Sequence, residues 1–484
     1  MVSGIIINGP AHRQNKLKPN DRIVAIDSLN NGNITDITYL PIERVVGLIL
    51  GQENTSVALI IENRDPKDNK RRKIIIQRGN VNLKDAAASA EIVRIAQPKG
   101  PPKILGWITI PSFYLDPIDF EPSVYKDVKS LINRLKHENV DGIALDLRGN
   151  GGGSLDEVPK IAGLFLPRGP IVQTLNQRRE TKTLQSTLIK PDYDGPLVVV
   201  TDRNSASSSE ILAGALQDYN RAILVGETST FGKGTVQAKM GVANFLRFMQ
   251  NPARAGDIKV TVQKFYRVTG SSTQLKGVVP HIILPSLNES REIGERYLPY
   301  ALPHDNIRPA RNFKPLPFRE LFLPQVSENS RQRVQASPEF QYIRDDLTQL
   351  KGDPFKNLVS LNKEKRTAKT IAKNEAAKSR NIKRHSRFIE TEWQDLQRFH
   401  FLRLTLDDLD LPKLQTVDRA RDSNATMLRA PNSERDANTP PDWPSGIDPV
   451  KRESLAILAD MIKAKKEDDQ LQKLKKTVNG FITP

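Results

Sequence analysis

Three short apolar runs mark the middle of the chain: Gly142-Ile143-Ala144-Leu145-Asp146-Leu147, Pro196-Leu197-Val198-Val199-Val200-Thr201 and Ala222-Ile223-Leu224-Val225-Gly226. Each is brief, rich in β-branched residues and bounded by turn formers, which predicts buried strands. Between the last two, Ile211, Leu212, Ala215, Leu216 and Tyr219 fall on one stripe at helical spacing, so a strand-helix-strand unit is predicted. The polar run Arg179-Glu180-Thr181-Lys182 predicts a surface hairpin. Beyond Pro285 the pattern changes to polar helices, with Phe340 to Leu350, Leu361 to about Gln397 and Ser454 to Leu474 as candidates. Asp418 to Pro449, rich in Asn, Asp, Ser and Pro, predicts a linker or disordered segment.

The turns after these strands carry the candidate chemistry. Asn204-Ser205-Ala206-Ser207-Ser208-Ser209-Glu210 lies where the predicted helix begins, and a backbone N–H there has no intrahelical partner and is free to hold an oxyanion. A serine hydroxyl is a weak nucleophile at neutral pH and needs a neighbour to take its proton. Lys233, in Phe231-Gly232-Lys233-Gly234-Thr235-Val236, has two glycines and apolar neighbours, with Glu227 as the one charge close by in sequence. A lysine titrates near ~10.4 in water, and desolvation can lower it toward ~7 to 8, where it serves as a base. The loop Arg148-Gly149-Asn150-Gly151-Gly152-Gly153-Ser154 could bring further N–H groups onto an anion. The plain alternatives are an N-cap for Ser207 and a flexible turn for the glycines.

Other chemistries fit less well. Gly226 to Gly234 departs from a phosphate-binding P-loop, because its spacer has five residues and Gly234 stands where a hydroxyl is required. The six histidines (His12, His137, His281, His304, His385 and His400) lack metal-ligand spacing, so no metal and no cofactor is expected. Zero cysteines exclude disulfides and thiol chemistry. No apolar run reaches the ~18 residues of a membrane span, and the first residues lack the basic and apolar parts of a secretory signal. The net charge of +17, from 73 basic and 56 acidic residues, comes with only 6% aromatics. Basic runs such as Lys363-Glu364-Lys365-Arg366 lack base-stacking partners, so a solvated helix face is expected and not nucleic-acid binding, with attraction to an anionic wall or membrane surface as the alternative.

Taken together, Leu147-Arg148-Gly149-Asn150-Gly151-Gly152-Gly153, Ser205 to Ile211, Phe231 to Gln237 and Lys276-Gly277-Val278-Val279-Pro280-His281-Ile282 resemble the carboxy-terminal processing peptidases, and within them the long tail-specific protease branch. The resemblance places Ser207 as nucleophile, Lys233 as general base and Gln237 as the residue orienting the lysine. It puts Gly151, Gly152 and the backbone of Ser208 in the oxyanion hole and Asp218 in a supportive position. Ser208 stands where the family usually has alanine, and Thr228-Ser229-Thr230 is one residue longer than usual, so that loop must bulge.

The amino-terminal region, with Leu17 to Asp27 as turn and strand, Ile42 to Leu50 as groove helix and Val57 to Ile61 and Lys73 to Ile76 as closing strands, resembles a PDZ domain lacking its beginning, a module that captures a peptide's free carboxylate. The loop that does so is expected ahead of Val2. The implied fold is α/β and multidomain: a partial PDZ domain (1–80), an α/β Ser/Lys protease core with mixed sheets of ClpP/crotonase-like type (81–285) and a mostly helical carboxy-terminal domain (286–484) with a disordered segment near 418–449. The implied function is a periplasmic serine endopeptidase acting on proteins with unstructured carboxy-terminal tails, with an adaptor protein as a further partner. The alternative is a catalytically impaired fragment acting as a binding or scaffold protein.

Overall fold

The computed structural model describes residues 2, 4–6, 9–62, 71–79, 87–116, 119, 121–245, 256–352, 360–420, 427–428 and 441–480. The chain forms two compact units. One comprises Met1–Ala86, Ser360–Glu392 and Arg421–Gly446, and the other Ala87–Val359, Trp393–Ala420 and Ile447–Pro484.

In the first unit, β1 (Ile5–Ile6) and α1 (Pro10–Gln14) precede an antiparallel sheet of order β3-β2-β4-β5. Its strands are β2 (Arg22–Asp27), β3 (Thr35–Asp36), β4 (Ser56–Glu62) and β5 (Arg71–Gln77), with α2 (Ile42–Ile49) between β3 and β4. The two-residue period of β4 and β5 sends Val57, Leu59, Ile61, Ile74 and Ile76 into one core with Ile26. Val45, Leu48 and Ile49 of α2 pack on that core, while Ile42 and Val46 are exposed.

The second unit holds, in chain order, β6 (Ser89–Ile95), β7 (Lys103–Thr109), α3 (Val124–His137), β8 (Gly142–Asp146), α4 (Glu157–Gly163), β9 (Gly169–Asn176), β10 (Thr181–Ser186), β11 (Leu197–Thr201), α5 (Ser208–Asp218), β12 (Ile223–Gly226), β13 (Thr235–Gly241), β14 (Asp257–Tyr266), β15 (Ile282–Ile283), α6 (Leu323–Ala336) and α7 (Pro338–Gly352). After α8 (Lys363–Arg398), whose residues are divided between the units, come β16 (Phe399–Leu404) and β17 (Thr416–Val417). In the first unit β18 (Met427–Leu428) pairs with β1, and α9 (Pro449–Gly480) returns to the second.

The central sheet has the order β15-β12-β11-β8-β7-β6-β16-β17. It is parallel from β15 to β7 and antiparallel across β6, β16 and β17. A second, antiparallel sheet runs β10-β9-β14-β13, and the polar run at Arg179 forms the β9-β10 hairpin.

Every residue of β8 and β11 is buried, as expected of parallel strands covered on both faces. Ile143, Leu145, Leu197 and Val199 join Val128, Leu131 and Ile132 of α3 and Leu212 and Leu216 of α5. The alternate residues Ala144, Val198 and Val200 join Leu455, Leu458, Met461 and Ile462 of α9.

Segments beyond residue 285 return to this sheet, where β16 pairs with β6 and α9 covers the second face. Residues 360–392 and 421–446, by contrast, belong to the first unit. Within the expected linker, 421–426 and 429–440 lie outside the described residues.

Candidate active site

The serine turn joins the carboxyl end of β11 to α5. Ser207, immediately before the helix, has φ 57° and ψ −114°. For a residue with a side chain this is a sparsely populated conformation costing ~1 to 3 kcal/mol, and it persists only where surrounding bonds enforce it. Here Ala206 N–H and Ser209 Oγ both donate to Asn150 O at 2.9 Å, and Ser207 N–H donates to Glu210 Oε2 at 2.9 Å.

These bonds separate the four serines. Ser205 Oγ donates to Leu147 O (2.8 Å), Ser208 Oγ to Gly153 O (3.1 Å) and Ser209 Oγ to Asn150 O (2.9 Å), and all three residues are buried. Ser207 is half-buried, and of the four hydroxyls its own is the one that donates to no carbonyl among the described residues.

The glycine loop leaves the end of β8 and packs against this turn. Asn150 is buried and orders the loop, its Nδ2 donating to Ile110 O (2.8 Å) and its Oδ1 accepting from Gly152 N–H (2.9 Å). With the Gly152 donor occupied, the N–H groups of Gly151, Gly153 and Ser208 are those of the glycine loop and serine turn that have no hydrogen bond among the described residues. Gly152 has φ +103°, and a Cβ there would lie 2.8 Å from Ser207 Cβ and 2.9 Å from Ala206 O. A Cβ on Gly151 would meet open space. Gly152→Ala is therefore expected to displace the serine turn and lower kcat ~10²-fold or more, the scale of a lost oxyanion contact, while Gly151→Ala folds normally. Circular dichroism and steady-state kinetics on both variants check this, and wild-type kcat in Gly152→Ala would refute it.

Lys233 arrives on the loop between β12 and β13. Phe231 N–H donates to Ser205 O (3.0 Å), Gly234 N–H to Gln274 Oε1 (2.7 Å) and Thr273 Oγ1 to Lys233 O (3.0 Å). The centre of the arrangement is Glu210, fully buried on the first turn of α5. Its Oε1 accepts from Thr230 Oγ1 (2.5 Å) and Gly232 N–H (2.7 Å), and its Oε2 from the N–H groups of both Ser207 and Lys233, each at 2.9 Å. One carboxylate oxygen thus ties the serine backbone to the lysine backbone. Burial pushes Glu210 up to about 7, while its four donors pull it down.

Lys233 Nζ donates to Gln237 Oε1 at 3.3 Å and makes no direct hydrogen bond to Ser207 Oγ in this structure. Burial pushes its pKa below the usual lysine range, Lys259 adds to that effect, and Glu295 and Glu210 oppose it. The charges that matter are therefore these three and not Glu227. That residue accepts instead from Arg203 N–H (2.9 Å), Ser286 Oγ (2.6 Å) and Asn288 Nδ2 (2.9 Å).

Asp218 does not join the group. It closes α5, about 16 Å along the helix from Ser207, and binds Arg267 through both carboxylate oxygens at 2.9 and 2.6 Å. His281 is held below its usual range, to about 4, by burial and by Arg267, and its Nδ1 accepts from Leu224 N–H. It is a neutral structural acceptor. Among the described residues no cluster of three or more His, Cys, Asp or Glu could hold a metal ion, and no helix is long and apolar enough to cross a membrane. Sequence reasoning missed the roles of Glu210, Asn150 and Thr230. The available signal was the Ser207-x-x-Glu210 spacing of a capping box.

A family model described as peptidase family S41 matches residues 104–284, which hold the glycine loop, Ser207, Glu210, Lys233 and Gln237. A second, the C-terminal domain of tail specific protease, matches residues 288–463. A tail-specific protease of Haemophilus influenzae is 33% identical over 369 residues, 76% of this chain and 50% of that protein. A carboxyl-terminal-processing protease of Synechocystis is 32% identical over 54% of each chain. The carboxy-terminal processing protease CtpB of Bacillus subtilis is 31% identical over 55% of this chain and 49% of its own. The chain spans about half the length of these curated relatives. It belongs to peptidase family S41, with the carboxy-terminal domain of the tail-specific proteases following its peptidase domain.

Proposed function

We propose that this chain is a serine endopeptidase that processes or degrades proteins from unstructured carboxy-terminal tails, with Ser207 as nucleophile and Lys233 as general base. The observation that carries this is the Glu210 oxygen shared by the Ser207 and Lys233 backbones, because it fixes nucleophile and base on one rigid support.

In this reading Ser207 Oγ attacks the scissile carbonyl carbon as its proton passes to Lys233 Nζ. The N–H groups of Gly151 and Ser208 receive the oxyanion, with Gly152 forming the wall behind Ser207. The protonated lysine then gives its proton to the departing amine. Water deprotonated by Lys233 resolves the ester on Ser207, and Gln237 Oε1 keeps the ammonium oriented throughout. A periplasmic setting, protein substrates and an adaptor belong to the same proposal, and no metal or cofactor enters it.

Only the neutral amine can accept the serine proton, so kcat/KM on an unfolded tail peptide should rise with pH through the lowered lysine pKa and then level off. Lys259→Glu removes a charge that pushes that pKa down and adds one that raises it, so the rise should move to higher pH. EDTA should change neither profile. A profile falling with pH, or one that Lys259→Glu leaves in place, would remove Lys233 as the base.

A further inference from the structure

The glycine loop is anchored at its first residue to the far end of the chain. Arg148 lies two residues past the end of β8, and its Nε and Nη2 donate to Asp146, the last residue of that strand, at 2.9 and 2.7 Å. Its Nη1 lies 3.1 Å from each carboxylate oxygen of Asp448, a residue 300 positions later. A guanidinium held on two sides in its own plane has little freedom to shift. Arg148 also lies over the Trp107 ring, 6.0 Å from its centroid, and Lys451 lies over the same ring at 5.0 Å while pairing with buried Glu91.

Asp448 is itself fixed. It immediately precedes α9, and its Oδ1 accepts from Lys451 N–H at 2.8 Å, which is an N-cap bond. The helix behind it is seated on the central sheet through Leu458 and Ile462, so closely that a Cβ on Gly142 would lie 2.8 and 2.9 Å from their methyl groups. Gly142 begins β8, the strand that ends at Asp146, two residues before Arg148. Helix α9 therefore touches the loop-bearing strand at its start and, through Asp448, just beyond its end.

We propose that Asp448 is a positioning residue for the oxyanion loop: through Arg148 it sets where the chain leaves β8 and hence where the Gly151 N–H points. The proposal rests on the reading of Ser207 and its oxyanion donors given above. It makes the carboxy-terminal helix part of the support for chemistry, so that movement of α9 would be felt first as a change in turnover.

The test uses Asp448→Ser, because serine retains the helix cap but is too short to reach Arg148, and Asp448→Asn, which retains the cap and one acceptor. Turnover and KM on an unfolded protein, thermal unfolding, and hydrogen exchange of the 147–154 segment by mass spectrometry are measured on the whole chain. The expected result is a kcat ~10-fold or more below wild type in Asp448→Ser, less than the ~10² to 10³ of losing a donor outright. Asp448→Asn should fall between the two, with KM and melting temperature nearly unchanged and exchange faster in 147–154. Wild-type kcat and exchange in Asp448→Ser would overturn the proposal, as would a kcat loss matched by a fall in melting temperature without faster loop exchange. If Ser207→Ala cleaves as well as wild type, the catalytic reading fails instead, and the exchange result still decides whether Asp448 holds the loop.

Discussion

Ser207→Ala and Lys233→Ala are each expected to abolish cleavage of an unfolded protein, with a loss of ~10⁴-fold or more, because nucleophile and base act as one unit and removing either forfeits nearly the whole effect. Ser208→Ala should retain most of the activity. Its hydroxyl bonds the loop carbonyls Gly153 O and Ser154 O, and its N–H, the candidate oxyanion donor, is unaffected by the change. Ser205→Ala and Ser209→Ala remove buried bonds to Leu147 O and Asn150 O and should cost about 1 kcal/mol of stability each while the folded fraction still turns over. Cleavage followed by gel and mass spectrometry, alongside urea unfolding of each variant, distinguishes the cases. Undiminished cleavage by Ser207→Ala would end the assignment.

The parts of the fold legible in the sequence were those written in periodicity. The β8, β11 and β12 segments, the α5 stripe and the long polar helices all lie where apolar spacing put them, because local pattern and burial agree there. What was not legible depended on contacts between distant segments. β16 is a six-residue strand directly after a 36-residue polar helix, and nothing local says that Phe399 and Phe401 complete a sheet begun at Ser89. The covering of the sheet's second face by α9 is equally non-local. In the candidate site, residue types and order pointed to the serine turn, Lys233 and the glycine loop, and the family resemblance singled out Ser207. They could not say which glycine N–H is already occupied, nor that Asp218 is turned to Arg267. Glu210 was overlooked because a glutamate three residues into a helix normally reads as a solvent-facing cap, and only the tertiary structure buries it under four donors.

Glu210→Gln is accordingly expected to be among the most damaging conservative changes in the chain. The carboxylate accepts from Ser207 N–H, Lys233 N–H, Gly232 N–H and Thr230 Oγ1. An amide can present an oxygen to only two of the four, and its NH₂ group must face two donors that then lose their acceptor. Each buried donor left unsatisfied costs ~1 to 3 kcal/mol, so a loss of about 2 to 6 kcal/mol in unfolding free energy is expected. Turnover should fall further than stability accounts for, because whichever pair is lost includes either the serine-lysine tie or the turn that delivers the lysine. A pH signature separates this from a general packing defect. The folded-state value of Glu210, about 7, lies above the 4.5 of the unfolded chain. Its contribution is therefore fully present below about pH 4.5 and is lost as pH rises through 7. The difference in unfolding free energy between wild type and Glu210→Gln should accordingly shrink across that window, since glutamine does not titrate. Urea unfolding of both proteins from pH 4 to 9, with kcat measured at the same points, tests the argument. A variant that matches wild type in stability and turnover would show that the shared carboxylate does not hold the site together.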